Sequence, residues 1–167
     1  MQPIQNVLPP LVDERTKVIV VGSMPGQQSL EKQQYYGNAR NHFWPMIGAV
    51  LNVTVPANYE QRLQLLRDQQ IGLWDVIAYC ERKGSLDATI RNEVPNDFAW
   101  LFQKYPQIEL VLFNGGKAHD VFKRHVGFTL LGNRDYVKMP STSPIPGKNI
   151  KSFDEKVAEW RIIKSYF

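Results

Sequence analysis

The run Val18–Val21, broken at once by Gly22-Ser23-Met24-Pro25-Gly26, constrains this chain more than any other stretch. Four consecutive β-branched residues read as a buried strand. The glycines after it let backbone approach a ligand closely, and the proline fixes the turn. A polar segment follows, then Tyr35-Tyr36, Asn41 and Phe43-Trp44, so aromatic surface brackets an amide. A strand that ends in a Gly/Pro loop, followed by aromatics around an amide, suggests a pocket for a flat polar ring.

The same apolar signal returns three times. Ile71–Ala78 reads as a second buried strand, Ile108–Phe113 as a third and Tyr136–Met139 as a short fourth. Helices are expected between them. One begins near Asn41 and carries Phe43, Met46, Ile47, Val50 and Leu51 at helical spacing; another is N-capped by Asn58. Asp87 is expected to cap a short helix, and Asn96-Asp97 to open one through Tyr105. A helix follows Gly115-Gly116, and Phe153–Tyr166 closes the chain as an amphipathic helix. Strands alternating with helices predict an α/β fold, a three-layer sandwich around a central, mostly parallel four-stranded sheet. One domain spans residues 1–167, with proline-rich residues 1–15 as an extended N-terminal arm. In such sheets ligands bind outside the carboxyl ends of the strands. Gly22–Gly26, Asp75, Asn114–Gly116 and Pro140–Ser143 are therefore expected to converge on one site.

Composition narrows the partners. A single cysteine, Cys80, excludes an internal disulfide framework and any all-cysteine metal site. The three histidines, His42, His119 and His125, have no metal-binding spacing. No cofactor and no metal are expected. The N-terminal residues lack the cationic start and apolar core of a secretory signal, and no apolar run approaches membrane-spanning length. A soluble cytoplasmic protein is expected. The net charge of +4 is uneven: residues 1–114 carry ten Lys and Arg against eleven Asp and Glu, and residues 115–167 carry ten against five. A basic last third is the footprint of a polyanion partner, and equally the mark of an ordinary solvated face.

Each candidate residue has a structural reading beside the functional one. Tyr35 or Tyr36 could stack on a base or pack in the core. Asn41 could hold a water or base, and could N-cap a helix. Asp75, after Gly72-Leu73-Trp74, needs partners because it is near buried positions. It could accept from a ring N–H or bond loop amides. Ser141-Thr142-Ser143-Pro144 offers short hydroxyls and N–H groups for phosphate, and Gly116 and Lys117 offer a second contact at a helix start. Ile145-Pro146-Gly147, with Lys148 and Lys151 behind, would suit a wedge into a base stack.

Taken together, GSMPG, YGNARNHFW and MPSTSP resemble, in order, motifs of the uracil-DNA glycosylase superfamily. The likeness covers most of the chain and is greatest to the hypoxanthine-DNA (deoxyinosine) glycosylase branch. GSMPG stands in place of the first motif, after the first strand. YGNARNHFW is similar to a segment where an aromatic precedes Asn-x-Phe-Trp. MPSTSP looks like the second motif, the loop that grips DNA. The resemblance implies Asn41 as the catalytic residue and Tyr36 as the base-stacking ring. It implies Asp75, with Gly22, Ser23, Met24 and Pro25, around the base, and Gly116, Lys117, Pro140, Ser141, Thr142, Ser143 and Pro144 against DNA. Met24 departs from the pattern, because the superfamily usually places a water-activating Asn or Asp there and a thioether cannot do that work. Met139 replaces a His found in other branches.

The expectation is a monofunctional DNA glycosylase that removes deaminated bases, hypoxanthine first and uracil second. It would act as a monomer on DNA carrying such bases, with no membrane partner. Two rivals stand beside it: a catalytically inactive DNA-binding module of the same fold, and a small-molecule α/β enzyme acting on nucleosides.

Overall fold

The computed structural model describes residues 1–144 and 150–166. Near the start, Val18–Gly22 forms strand β2, preceded by β1, Gln2–Gln5. With β3 (Ile71–Asp75), β6 (Leu110–Asn114) and β7 (Asp135–Met139), β2 builds a four-stranded sheet of order β3-β2-β6-β7, parallel throughout. Alternation sorts its side chains onto two faces. Val18, Val20, Leu73, Leu110 and Leu112 meet helices α2 (Phe43–Leu51), α3 (Tyr59–Asp68) and α6 (Phe153–Trp160). Ile19, Val21, Trp74, Val111 and Phe113 meet α4 (Phe98–Lys104) and α5 (Gly116–His125). This is the expected three-layer sandwich, and it buries the β-branched run completely.

Register then fixes the site. Gly22 pairs with Asp75, and Asn114 pairs with Met139, so the carboxyl ends of all four strands finish at one edge.

Several local expectations change. Ile71–Ala78 is not one strand. β3 ends at Asp75, and β4 (Ile77–Arg82) joins β1 and β5 (Arg91–Pro95) in a second, antiparallel sheet of order β1-β4-β5. Val76 and Ile77 are buried and donate to the Gly22 and Ser23 carbonyls, so the corner carries no polar signal. The arm is extended, yet residues 2–5 are a hydrogen-bonded strand, and Leu11 bridges Leu73. The polar segment after GSMPG forms a short helix, α1 (Gln27–Lys32). Asn58 caps α3 through the Gln61 N–H. Asp87 does not cap; it opens a 3₁₀ turn, Asp87–Thr89, and its carboxylate points elsewhere. The closing helix is α-helical only to Trp160, with a Ser152–Glu155 capping box, and continues as a 3₁₀ segment, Arg161–Tyr166. Among the described residues no helix is long and apolar enough to cross a membrane. The apolar tip Ile145-Pro146-Gly147 and Lys148 lie outside the described residues.

Candidate active site

A cleft of about 520 Å³ opens at the shared strand edge. It brings together the loop Gly22–Gly26, Tyr36, Asn41, Asp75, Gly116, Lys117 and Ser141–Pro144, which are spread over more than 120 positions of sequence. Pro140 is not among its lining residues; its carbonyl accepts from the Trp160 indole at 3.1 Å.

The two tyrosines separate by environment. Tyr35 is 5% exposed, donates its hydroxyl to the Pro9 carbonyl at 2.6 Å, and accepts the Trp44 indole on its own carbonyl. These bonds tie it into the framework. Tyr36 lies face to face on Phe43, with centroids 4.0 Å apart and planes 18° from parallel. Its backbone has φ +55°, a left-handed conformation that turns the ring out of the chain's path.

Asn114 holds the Tyr36 hydroxyl in place. Its Nδ2 donates to Tyr36 Oη at 3.0 Å and to Thr142 Oγ1 at 2.9 Å, while its Oδ1 accepts the Thr142 N–H at 3.0 Å. Both amide hydrogens are used, so Asn114 is a clip between strand, ring and loop. Thr142 is fully buried by those contacts, and its carbonyl accepts the His42 N–H at 2.9 Å. Its role is to lock the loop, leaving Ser141, Ser143 and Pro144 on the cleft wall. Gly115 permits this approach: at φ +94° a Cβ would lie 3.0 Å from Ser141 Cβ.

Asn41 stands at the cleft just ahead of α2. Its Oδ1 accepts the Phe43 N–H at 2.9 Å, which holds the side chain in one orientation. A carbonyl oxygen has a second lone pair, so this bond leaves room for a water or ligand donor.

Asp75 is buried, and desolvation pushes its carboxyl from an ordinary 3.8 up to about 7. The Asn6 amide, donating at 3.2 Å, and Arg82 oppose that rise, and nearby Asp87 adds to it. A Cβ on Gly22 would lie 2.5 Å from Asp75 Oδ1, so the glycine is what makes space for the carboxylate. Elsewhere on the cleft lining, Ser23 donates its hydroxyl to Asp87. Asp87 also lies 3.5 Å from Arg82 Nη1, and Arg82 donates to the Pro25 and Gly84 carbonyls at 2.7 and 2.8 Å. Met24 also lines the cleft; the residue is 7% exposed and belongs to the apolar cluster of Ile19, Val21 and Trp74.

Asn6, Arg82 and Asp87 take part in the site without having been marked for it by sequence, whereas Asn114 lies in a segment expected there but had no assigned role. Asn114 had a signal, an amide at the end of an apolar strand, the same argument that marked Asp75. Asn6 had none, since 69 residues separate it from its partner. Among the described residues no group of three His, Cys, Asp or Glu side chains could hold a metal ion.

Comparison with known proteins agrees with this architecture. Residues 9–164 match the Uracil DNA glycosylase superfamily. The chain is 34% identical over 163 residues to the hypoxanthine DNA glycosylase of Methanosarcina acetivorans, covering 96% of this chain and 98% of that one. It is 41% identical over 111 residues to the hypoxanthine DNA glycosylase of Methanosarcina barkeri, covering 66% and 70%. The solution NMR structure of a candidate uracil DNA glycosylase from M. acetivorans superposes with a TM-score of 0.79 at 33% identity, over 98% of this chain and 99% of that one. With the motif order, the sheet topology and the cleft all in agreement, the chain belongs to the uracil DNA glycosylase superfamily.

Proposed function

We propose that this chain, acting as a monomer, is a DNA glycosylase that excises hypoxanthine, and secondarily uracil, from DNA. The reaction hydrolyses the N-glycosidic bond and leaves an abasic site. The target base is unreachable inside the stack, so the nucleotide is extruded into the cleft. The carrying observation is the convergence of a buried carboxylate, Asp75, with the Tyr36 ring and Asn41 at one strand edge.

Tyr36, backed by Phe43, is the stacking surface for the flipped base. Hypoxanthine and uracil both present a ring N–H beside a carbonyl. An ionised Asp75 accepts that N–H, and backbone amides near Gly22–Met24 face the carbonyl. Adenine presents an acceptor and an amino donor instead, leaving buried groups unpaired, a mismatch that discriminates strongly. Asn41 positions the attacking water. Amide donors facing the leaving base stabilise the negative charge it develops. Ser141, Ser143, Gly116 and Lys117 donate to phosphate while Pro144, which has no N–H, shapes the loop against the DNA, with Thr142 and Asn114 holding the loop that carries Ser141, Ser143 and Pro144.

Purified protein incubated with duplexes carrying deoxyinosine, deoxyuridine or only normal bases tests the assignment. Excision of hypoxanthine, then of uracil, with adenine and thymine left in place is the expected result. Duplex binding without excision of any base would overturn it in favour of an inactive DNA-binding module.

A further inference from the structure

Hydrolysis needs somewhere for a proton to go. An asparagine amide orients water but accepts no proton at neutral pH. The resemblance places Met24 where the superfamily usually has a water-activating Asn or Asp, and Met24 is a thioether buried in an apolar cluster. The glycosylase reading therefore lacks a base on the wall where one is usual.

Beside that loop the cleft has one. Asp87 lines the same cleft as Ser23, Asn41 and Asp75, and accepts the Ser23 hydroxyl. Because that hydroxyl hydrogen is aimed at Asp87, the Ser23 oxygen lone pairs remain for another donor. The pair is fixed from behind by Arg82, whose side chain is wholly buried. Two of its nitrogens hold the Pro25 and Gly84 carbonyls, one on each of the loops that carry Ser23 and Asp87. Its Nη1 faces Asp87 Oδ1 at ion-pair distance, without hydrogen-bond geometry and with no other hydrogen-bond partner among the described residues. Arg82 thus anchors the pair while the Asp87 side chain keeps 38% of its surface open, a route by which a proton can leave.

We propose that Ser23 and Asp87 form the proton-accepting pair of the cleft, with Ser23 Oγ contacting the attacking water and Asp87 acting as the base behind it. The proposal rests on the glycosylase reading. In the step, the bond between C1′ and the base nitrogen breaks, and its electron pair leaves with the base. The water oxygen bonds C1′ and passes a proton to Ser23 Oγ, which gives its own proton to Asp87. Asp87 then releases that proton to solvent or to the departing base, so the net reaction consumes one water. The groups facing Asp87 are Ser23 from the loop after β2, Arg82 from β4, Asp75 from β3 and Lys117 from α5. Desolvation outweighs the hydroxyl and the two cations and leaves this carboxyl above its ordinary value, which favours proton acceptance.

Single-turnover excision of deoxyinosine by the wild type, Ser23→Ala and Asp87→Asn tests the pair. It is measured beside affinity for a duplex carrying an uncleavable 2′-fluorinated deoxyinosine. Each variant is expected to lose about 10²-fold in rate while its affinity for the analogue stays within about threefold. The Asp87→Asn deficit is also expected to narrow as pH falls, because the wild-type carboxylate takes up a proton and can no longer accept one from Ser23. Wild-type-like rates, a deficit independent of pH, or equal losses of rate and affinity would each overturn the proposal, the last by reducing the pair to a loop tether. If Asp87→Asn does not fold, Ser23→Ala, which keeps the Arg82–Asp87 contact, decides by the same rate and affinity criteria. A wild type that excises nothing would defeat the glycosylase reading itself, whereas an active wild type with active variants defeats only this pair.

Discussion

At the scale of single residues, the site depends on atoms that are missing as much as on atoms that are present. Gly22 has no Cβ, and one placed there would lie 2.5 Å from Asp75 Oδ1. Gly22→Ala must therefore push the carboxylate or the loop aside. A displacement of about an ångström at a reacting centre costs on the order of 10²-fold in rate, which is the loss expected in single-turnover excision. Asp75 carries a second prediction. Its carboxyl is raised from 3.8 to about 7 by burial, so between those values the folded state holds a proton that the unfolded state has released. Stability attributable to this group therefore falls as pH rises from 4 to 7, by at most about 1.4 kcal/mol per pH unit. Asp75→Asn removes that slope, and urea titrations across this range are expected to show the variant gaining on the wild type as pH increases.

At the scale of elements, the strand ends set the positions and the connections supply the chemistry. β2, β3 and β6 were legible because each is an uninterrupted apolar run, and a strand buried on both faces needs no other signal. The corner at Val76 was not legible, since both sheets are buried there and apolarity runs straight through it. Asp75 and Tyr36 could be picked out as polar and aromatic groups beside a strand end or a Gly/Pro loop. Asp87 could not, because at a turn after β4 a carboxylate reads as a cap; only the fold brings Ser23 and Arg82 to it. Asn6 belongs to the same class; Asn114 was expected at the site as a strand end, but its partners Tyr36 and Thr142 are set by topology rather than by spacing. One cap was readable and is testable. Asn58 accepts the Gln61 N–H at 3.0 Å at the start of α3, far from the cleft in sequence. Asn58→Ala is expected to cost about 1 kcal/mol and lower the melting temperature by about 2–4 °C. Excision is expected to be unchanged.

At the scale of the molecule, charge and cleft coincide. The last third carries ten cationic residues against five acidic ones, and Lys117 from that third stands at the cleft itself. Binding to duplex DNA should therefore weaken steeply with salt, with log Kd linear in log salt concentration. Lys117→Ala is expected to lower the magnitude of that slope by about one and to weaken binding alike for every sequence. A slope unchanged by the substitution would remove Lys117 from the phosphate contacts. The measurement that bears most directly on the central claim is release of free hypoxanthine from a deoxyinosine duplex by the wild type and by Asn41→Ala. Release by the wild type, falling by about 10²-fold in the variant with duplex binding retained, is the expected result. No release by the wild type, or release by Asn41→Ala at the wild-type rate, would contradict it.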